Sequence, residues 1–174
     1  MLFKNNLIYL LLISLSALSC KKDKQGIEAL PAATQEGKGT FGCLINGKAF
    51  LPKTSGISPG LSAYWYRGND PLLSIYAPRS KNNQTDRLAL TVSQSEIEQN
   101  VVYKLGNESS IAFGRYTITV NSIPVTYLST SNSPGELYIT KIDKNIVSGT
   151  FWFDGISETG ERLEIREGRF DIHL

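Results

Sequence analysis

One histidine, two cysteines and sixteen carboxylates are the groups from which this chain could build a reactive site. His173 stands one residue from the C-terminus. A Ser-His-Asp triad, an imidazole zinc site or a histidine general base would each have to use it. It reads as a surface residue. With one imidazole and no usable cysteine pair, zinc and copper sites of the usual kinds are not expected, and no metal or cofactor is assigned. No GxSxG, P-loop or GxGxxG pattern occurs. Among the acids, Asp154, Glu158, Glu161, Glu164, Glu167 and Asp171 crowd the last hairpin. Two carboxylates at a fixed separation can hydrolyse a glycoside, but sequence does not set that separation. Their alternation with Leu163 and Ile165 reads more simply as the wet face of a strand. A calcium loop over 154–161 would lack the regular oxygen spacing of an EF-hand.

Three consecutive aromatics, Tyr64, Trp65 and Tyr66, are the other conspicuous group. On a strand they place both tyrosines on one face and the tryptophan on the other. Exposed, such rings stack on sugars or anchor a protein partner; buried, they are cross-strand packing. Trp152 and Tyr76 carry the same two readings. Cys43 sits inside an apolar strand pattern, with Lys38 and Lys48 as its nearest bases in sequence, and reads as a buried small hydrophobe.

The segment MLFKNNLIYLLLISLSALSC at residues 1–20 has one early charge, Lys4, an apolar run over 7–15 and small residues before Cys20. It has the layout of a secretory signal peptide and is too short in apolar residues for a permanent spanning helix. Its end resembles a lipobox: cleavage is expected before Cys20, which would carry diacylglycerol and an N-acyl chain, with Ala17 standing where that motif prefers leucine. At about 0.8 kcal/mol per buried methylene, two or three acyl chains make release from the membrane negligible. Processing would remove Lys4 and no acid, leaving 17 of the 18 bases and all 16 acids. That near balance gives no support to nucleic-acid binding, which needs a basic face. With Cys20 acylated, Cys43 would be the one cysteine left and no disulfide could form within the chain.

Residues 20–39 are polar, punctuated by Pro and Gly and without a period, so they read as a flexible tether. From residue 40 to 174, short runs rich in Val, Ile, Thr, Tyr and Phe recur about every ten residues between turn signals, the pattern of a single all-β domain. Asn46-Gly47 between apolar segments predicts a type I′ hairpin. Residues 61–67 and 72–77 form a second pair around Gly68-Asn69-Asp70-Pro71. The apolar parity switches at Gly114 and again across Glu167-Gly168, and each switch predicts a β-bulge. Ser95 to Asn100 could hold a short helical turn. About nine or ten antiparallel strands on short loops favour a β-sandwich or a calycin-like meander barrel.

Three stretches carry a resemblance: LPAATQEGKGTFGCLINGKAFLP at 30–52, GTFWF at 149–153 and IREGRFDI at 165–172. They resemble a Bacteroidota lipoprotein family of unknown function whose members open with LPPATQxGxxTFGCLVNGKAFxP and close on an ITDGRFD-like strand. Ala32, Ile45 and the pair Arg166-Glu167 depart from that pattern. The resemblance implies a lipid-anchored protein of the Gram-negative outer membrane, on its periplasmic or its outer face, and assigns no catalytic residue. The function expected is a non-enzymatic binding or envelope-assembly module held by Cys20, with Tyr64, Trp65 and Tyr66 offered to a glycan or an envelope protein. The alternatives are a barrel around a small apolar ligand and a carboxylate-dependent hydrolase.

Overall fold

The computed structural model describes residues 25–53, 60–81, 83–94, 96–133 and 135–174. Cys20 lies outside them. A 3-10 turn, Gly26–Ala29, precedes eleven strands: β1 Thr40–Ile45, β2 Lys48–Phe50, β3 Ser62–Tyr66, β4 Leu72–Lys81, β5 Gln84–Val92, β6 Val101–Lys104, β7 Ala112–Val120, β8 Ile123–Leu128, β9 Gly135–Ile142, β10 Ile146–Ser157 and β11 Arg162–His173. All pair antiparallel in one sheet of order β2-β1-β11-β10-β8-β7-β5-β4-β3, with β9 also on β10 and β6 on β9. The sheet does not close into a barrel, so of the two expected architectures the open, folded-over one is found, with eleven strands in place of nine or ten.

Strand β10 is where the sheet divides. Its first half, Val147 to Phe153, pairs with β9, whereas its end, Ile156 and Ser157, pairs with Leu128 and Tyr127 of β8. The strands β3, β4, β5, β7 and β8 thereby fold across those led by β1, β11, β10 and β9. Rings from strands that are not sheet neighbours meet between the halves: Phe50 of β2 packs edge-on to Tyr116 of β7 at 6.2 Å. Phe50, Phe153, Phe170, Leu73, Ile75, Leu88, Leu90, Leu137, Ile139 and Ile165 fill the space between the halves, all fully buried. Apolar and polar residues alternate over 87–93, and Leu88, Leu90 and Val92 point inward.

The Asn46-Gly47 hairpin forms as expected, with φ of 46° and 77° and Ile45 opposite Lys48. A bulge also forms in β11. Phe151 faces Gly168 while Phe153 faces Ile165, and Glu167 takes up the extra residue at a φ of 55°. The expected bulge at Gly114 does not exist: β5 and β7 pair without a shift from Gln84–Val120 to Val92–Ala112. Ile111 and Phe113 are apolar but are not core residues, so the buried parity does not switch at Gly114. The inward positions are Ala112, Gly114 and Tyr116, and Gly114 is small because a Cβ there would stand 2.7 Å from the Phe153 ring. Residues 96–100 form no helix.

Within residues 20–39, expected to be a loose tether, the stretch from Leu30 to Lys38 is docked. Leu30 is buried, and a side chain at Gly42 would strike Pro31 and Leu30. Further on, Thr34 and the backbone of Glu36, Gly37 and Lys38 are bound to Asp171. The correction has a simple cause: the polar residues of this stretch satisfy a buried carboxylate, a role that composition does not reveal.

Candidate binding surface

The face of β3, β4, β5 and β7 that points away from the core is assembled by strand register. Tyr64 stands opposite Ser74, Ser74 opposite Thr91, and Thr91 opposite Phe113. One row over, Ser62 faces Tyr76, which faces Ala89, which faces Arg115. Tyr66 faces Leu72 at the end of the pair. The outcome is a platform on which Tyr64, Tyr66, Tyr76 and Phe113 stand among short Ser, Thr and Ala side chains, with Leu72 opposite Tyr66 and the Arg115 guanidinium 5.7 Å over the Phe113 ring. Tyr64 is 60% exposed and Tyr66 46% exposed, and Tyr76 and Phe113 are half-buried. Neighbouring strands lie about 4.8 Å apart, so the platform runs roughly 14 Å from Tyr64 to Phe113.

Local chemistry fixes the rings on β3. Gly68 carries no side chain where the Tyr66 ring folds back over the β3–β4 turn; a Cβ there would collide with the phenol end. Trp65 points the other way and packs half-buried against the core. The Arg67 guanidinium lies over its ring at 3.7 Å, and its buried Nε1 donates to no acceptor. Of the three aromatics singled out by sequence, the structure offers two to solvent and keeps Trp65 for packing. Arg115, at the far side of the platform, is paired with Glu108.

The acids of the last hairpin do not converge on a cleft. Asp154 is buried and held between Arg162 and Arg166, at 2.5 and 2.6 Å. Asp171 is fully buried and accepts from Thr34 Oγ1 at 2.6 Å, Ser148 Oγ at 2.7 Å and the N–H groups of Gly37, Glu36 and Lys38 at 2.7, 3.0 and 3.2 Å. Burial would raise this carboxyl's pKa, but the hydroxyls of Thr34 and Ser148 and the amides of Glu36 and Gly37 outweigh it and hold the group well below the usual carboxylate range. Among the described residues, no three imidazole, thiol or carboxylate groups stand close enough to hold a metal ion. Cys43 is fully buried, and burial pushes its thiol pKa far up, against a smaller opposing effect of Arg79. His173 is exposed, its ring lying under Gly37.

A model of a domain of unknown function, DUF6252, matches residues 68–171, more than half of the chain. The chain belongs to the DUF6252 family. No curated protein and no solved structure matches it. The DUF6252 match covers β4 to most of β11, so Tyr76, Phe113, Asp154 and Asp171 fall inside it, whereas Tyr64, Tyr66 and Thr34 precede it.

Two features of this DUF6252 domain escaped sequence reasoning. Phe113 belongs to the platform, and the clue was available: it sits at odd parity in a strand whose core residues are even. The Asp171 latch joins two of the stretches that carry the resemblance, TQEGKG and GRFD. Their separate matches held no sign that they touch, because 137 residues part Thr34 from Asp171.

Proposed function

We propose that the chain is a lipoprotein anchored in the outer membrane through Cys20, whose domain binds extended glycan on the outer face of β3, β4, β5 and β7 without catalysis. The observation that carries this reading is the exposure of Tyr64 and Tyr66 on one face of β3, in register with Tyr76 and Phe113. Aromatic faces pair with the C–H faces of sugar rings, and the short hydroxyls of Ser62, Ser74 and Thr91 between them can exchange hydrogen bonds with sugar hydroxyls. Support for the anchor comes from the order of charge, apolar run and small residues ahead of Cys20.

The other readings draw less support from the same structure. An apolar ligand needs an enclosed cavity. The space between the sheet halves holds Phe50, Phe153 and Phe170, and the clefts of about 320–620 Å³ that line the described residues open to solvent. A carboxylate hydrolase needs two free acids facing one cleft, whereas Asp154 and Asp171 spend their oxygens on arginines and on backbone.

The reading is tested by titrating the mature chain against purified envelope polysaccharides, with the variant Y64A/Y66A beside it. Removing two stacking rings is expected to weaken binding about tenfold or more and to leave the melting temperature unchanged. Equal binding by both proteins, or no glycan bound by the parent, overturns the platform. Mass spectrometry showing Cys20 unmodified in the native host overturns the anchor.

A further inference from the structure

The strands that carry the tyrosines bring charge of one sign to the same face. Among the residues of β3, β4, β5 and β7 there is one acid, Asp86. It is buried on the core side, where it is paired with Arg79 and accepts from Gln84 Nε2 at 2.7 Å. The outward positions of these strands thus present no carboxylate, but they present two guanidiniums. Arg87 of β5 and Arg115 of β7 are exposed, at the parity opposite to that of buried Leu88, Leu90 and Tyr116. Arg115 is paired with Glu108, which the β6–β7 loop supplies, and its guanidinium lies over the Phe113 ring. Among the described residues, Arg87 takes part in no ion pair.

Register sets these groups around one small residue. Ala89 stands between Tyr76 of β4 and Arg115 of β7, directly opposite both. Two residues along β5, Arg87 is the diagonal neighbour of each at about 7–8 Å, a spacing that aromatic and long side chains bridge. In the other direction along β5 comes Thr91, between Ser74 and Phe113. Ala89, half-buried, is therefore the floor of a shallow site. A phenol flanks it on one strand and a guanidinium on the other, with the second guanidinium at its end.

We propose that the glycan of this face is acidic, with a carboxylate or sulfate group over Ala89 between Arg87 and Arg115 and the sugar ring that bears it on Tyr76. The proposal rests on the glycan reading given above and narrows it. A guanidinium is planar and offers paired N–H donors that match two oxygens of either oxyanion. Because these strands turn no acid outward, none of their side chains competes with such a ligand for Arg87. A neutral polysaccharide would use the rings and leave that charge without a partner. The neighbouring row carries Tyr64 and Phe113, where further sugar units of an extended chain can lie.

The test titrates the mature chain with polygalacturonate and dextran sulfate, each beside its uncharged counterpart, methyl-esterified polygalacturonate and dextran. The two pairs separate carboxylate from sulfate, and both from plain sugar. At least one charged polymer should bind more tightly than its counterpart, and Arg87→Gln should weaken that binding by about tenfold at an unchanged melting temperature. Lys144→Gln, which removes a charge from the exposed β9–β10 turn, should leave it as it is. Ala89→Glu, which puts a carboxylate on the floor of the site, should abolish it. Equal binding of charged and uncharged polymers, equal losses in R87Q and K144Q, or full binding by A89E each overturn the proposal. The platform itself fails separately. Binding lost in Y64A/Y66A but kept in R87Q leaves a glycan face without acidic preference, whereas no binding of any of the four polymers overturns the acidic site and counts against the platform.

Discussion

Replacing Asp171 by Asn tests whether the N-terminal arm is held by one buried charge. The carboxylate receives five donors, two hydroxyls and three backbone amides, and has no exposure to water. An asparagine of the same shape keeps one acceptor oxygen and turns an NH₂ group toward two or three of those donors, whichever way it is placed. Hydrogen bonds to a charged group contribute about 1.5–3 kcal/mol each, and a buried donor left facing another donor adds its desolvation cost. Two such losses, softened by local shifts of the arm, put the cost of D171N at about 3–5 kcal/mol. In a domain whose whole stability is about 5–15 kcal/mol, that lowers the melting temperature by roughly 10–15 °C.

The pH dependence follows with a definite sign. Because the folded carboxyl titrates below its unfolded value of about 3.9, its contribution is fully present above that value and is lost as pH falls toward the depressed folded value. Urea denaturation of the parent should therefore weaken below about pH 4, and D171N should lack that part of the acid sensitivity. Amide exchange at Glu36, Gly37 and Lys38 should speed up in D171N well before global unfolding. A loss under about 1 kcal/mol, or unchanged exchange at those three amides, would refute the latch.

Other substitutions probe other contacts. Gly114→Ala places a methyl against the Phe153 ring and should cost about 1–3 kcal/mol in denaturant unfolding through overpacking. Ser129 is fully buried, accepts from the Gly114 amide at 2.8 Å and donates to the Gly106 carbonyl. Ser129→Ala should cost about 1–3 kcal/mol, read in the same unfolding curves. Cys43, buried and held protonated, should react with a thiol reagent at the rate of unfolding and no faster; rapid labelling of the native protein would contradict its place in the core.

The fold was legible wherever one short-range signal decided the outcome. Asn46-Gly47 needs no distant partner to turn the chain, and the alternation of Leu88, Leu90 and Val92 announces its own inward face. Glu167-Gly168 declared a bulge because the core residues on both sides, Ile165 and Phe170, are buried in fact. The same argument failed at Gly114, where Ile111 and Phe113 are apolar but face out, and hydrophobicity alone does not separate a core position from a platform position. Asp154 and Asp171 looked like the wet face of a strand since their partners, Arg162, Arg166 and the 34–38 backbone, are supplied by register and by the docked arm. Tyr64 and Tyr66 were found by type and spacing and Tyr76 by type; Phe113 joined them only through cross-strand pairing.

The latch bears on how the proposed lipoprotein would work. A free chain from Cys20 to Gly39 would have a root-mean-square reach of about 25 Å and would let the domain tumble above the bilayer. Docking residues 30–39 on Asp171 and its surroundings leaves a connection of a few residues, so orientation is set by the fold instead of averaged by a leash. Release of residues 34–38, as in D171N, would loosen this connection without touching the platform. Glycan affinity of the soluble chain should then be unchanged while amide exchange at Glu36, Gly37 and Lys38 speeds up, which separates a role in positioning from a role in binding.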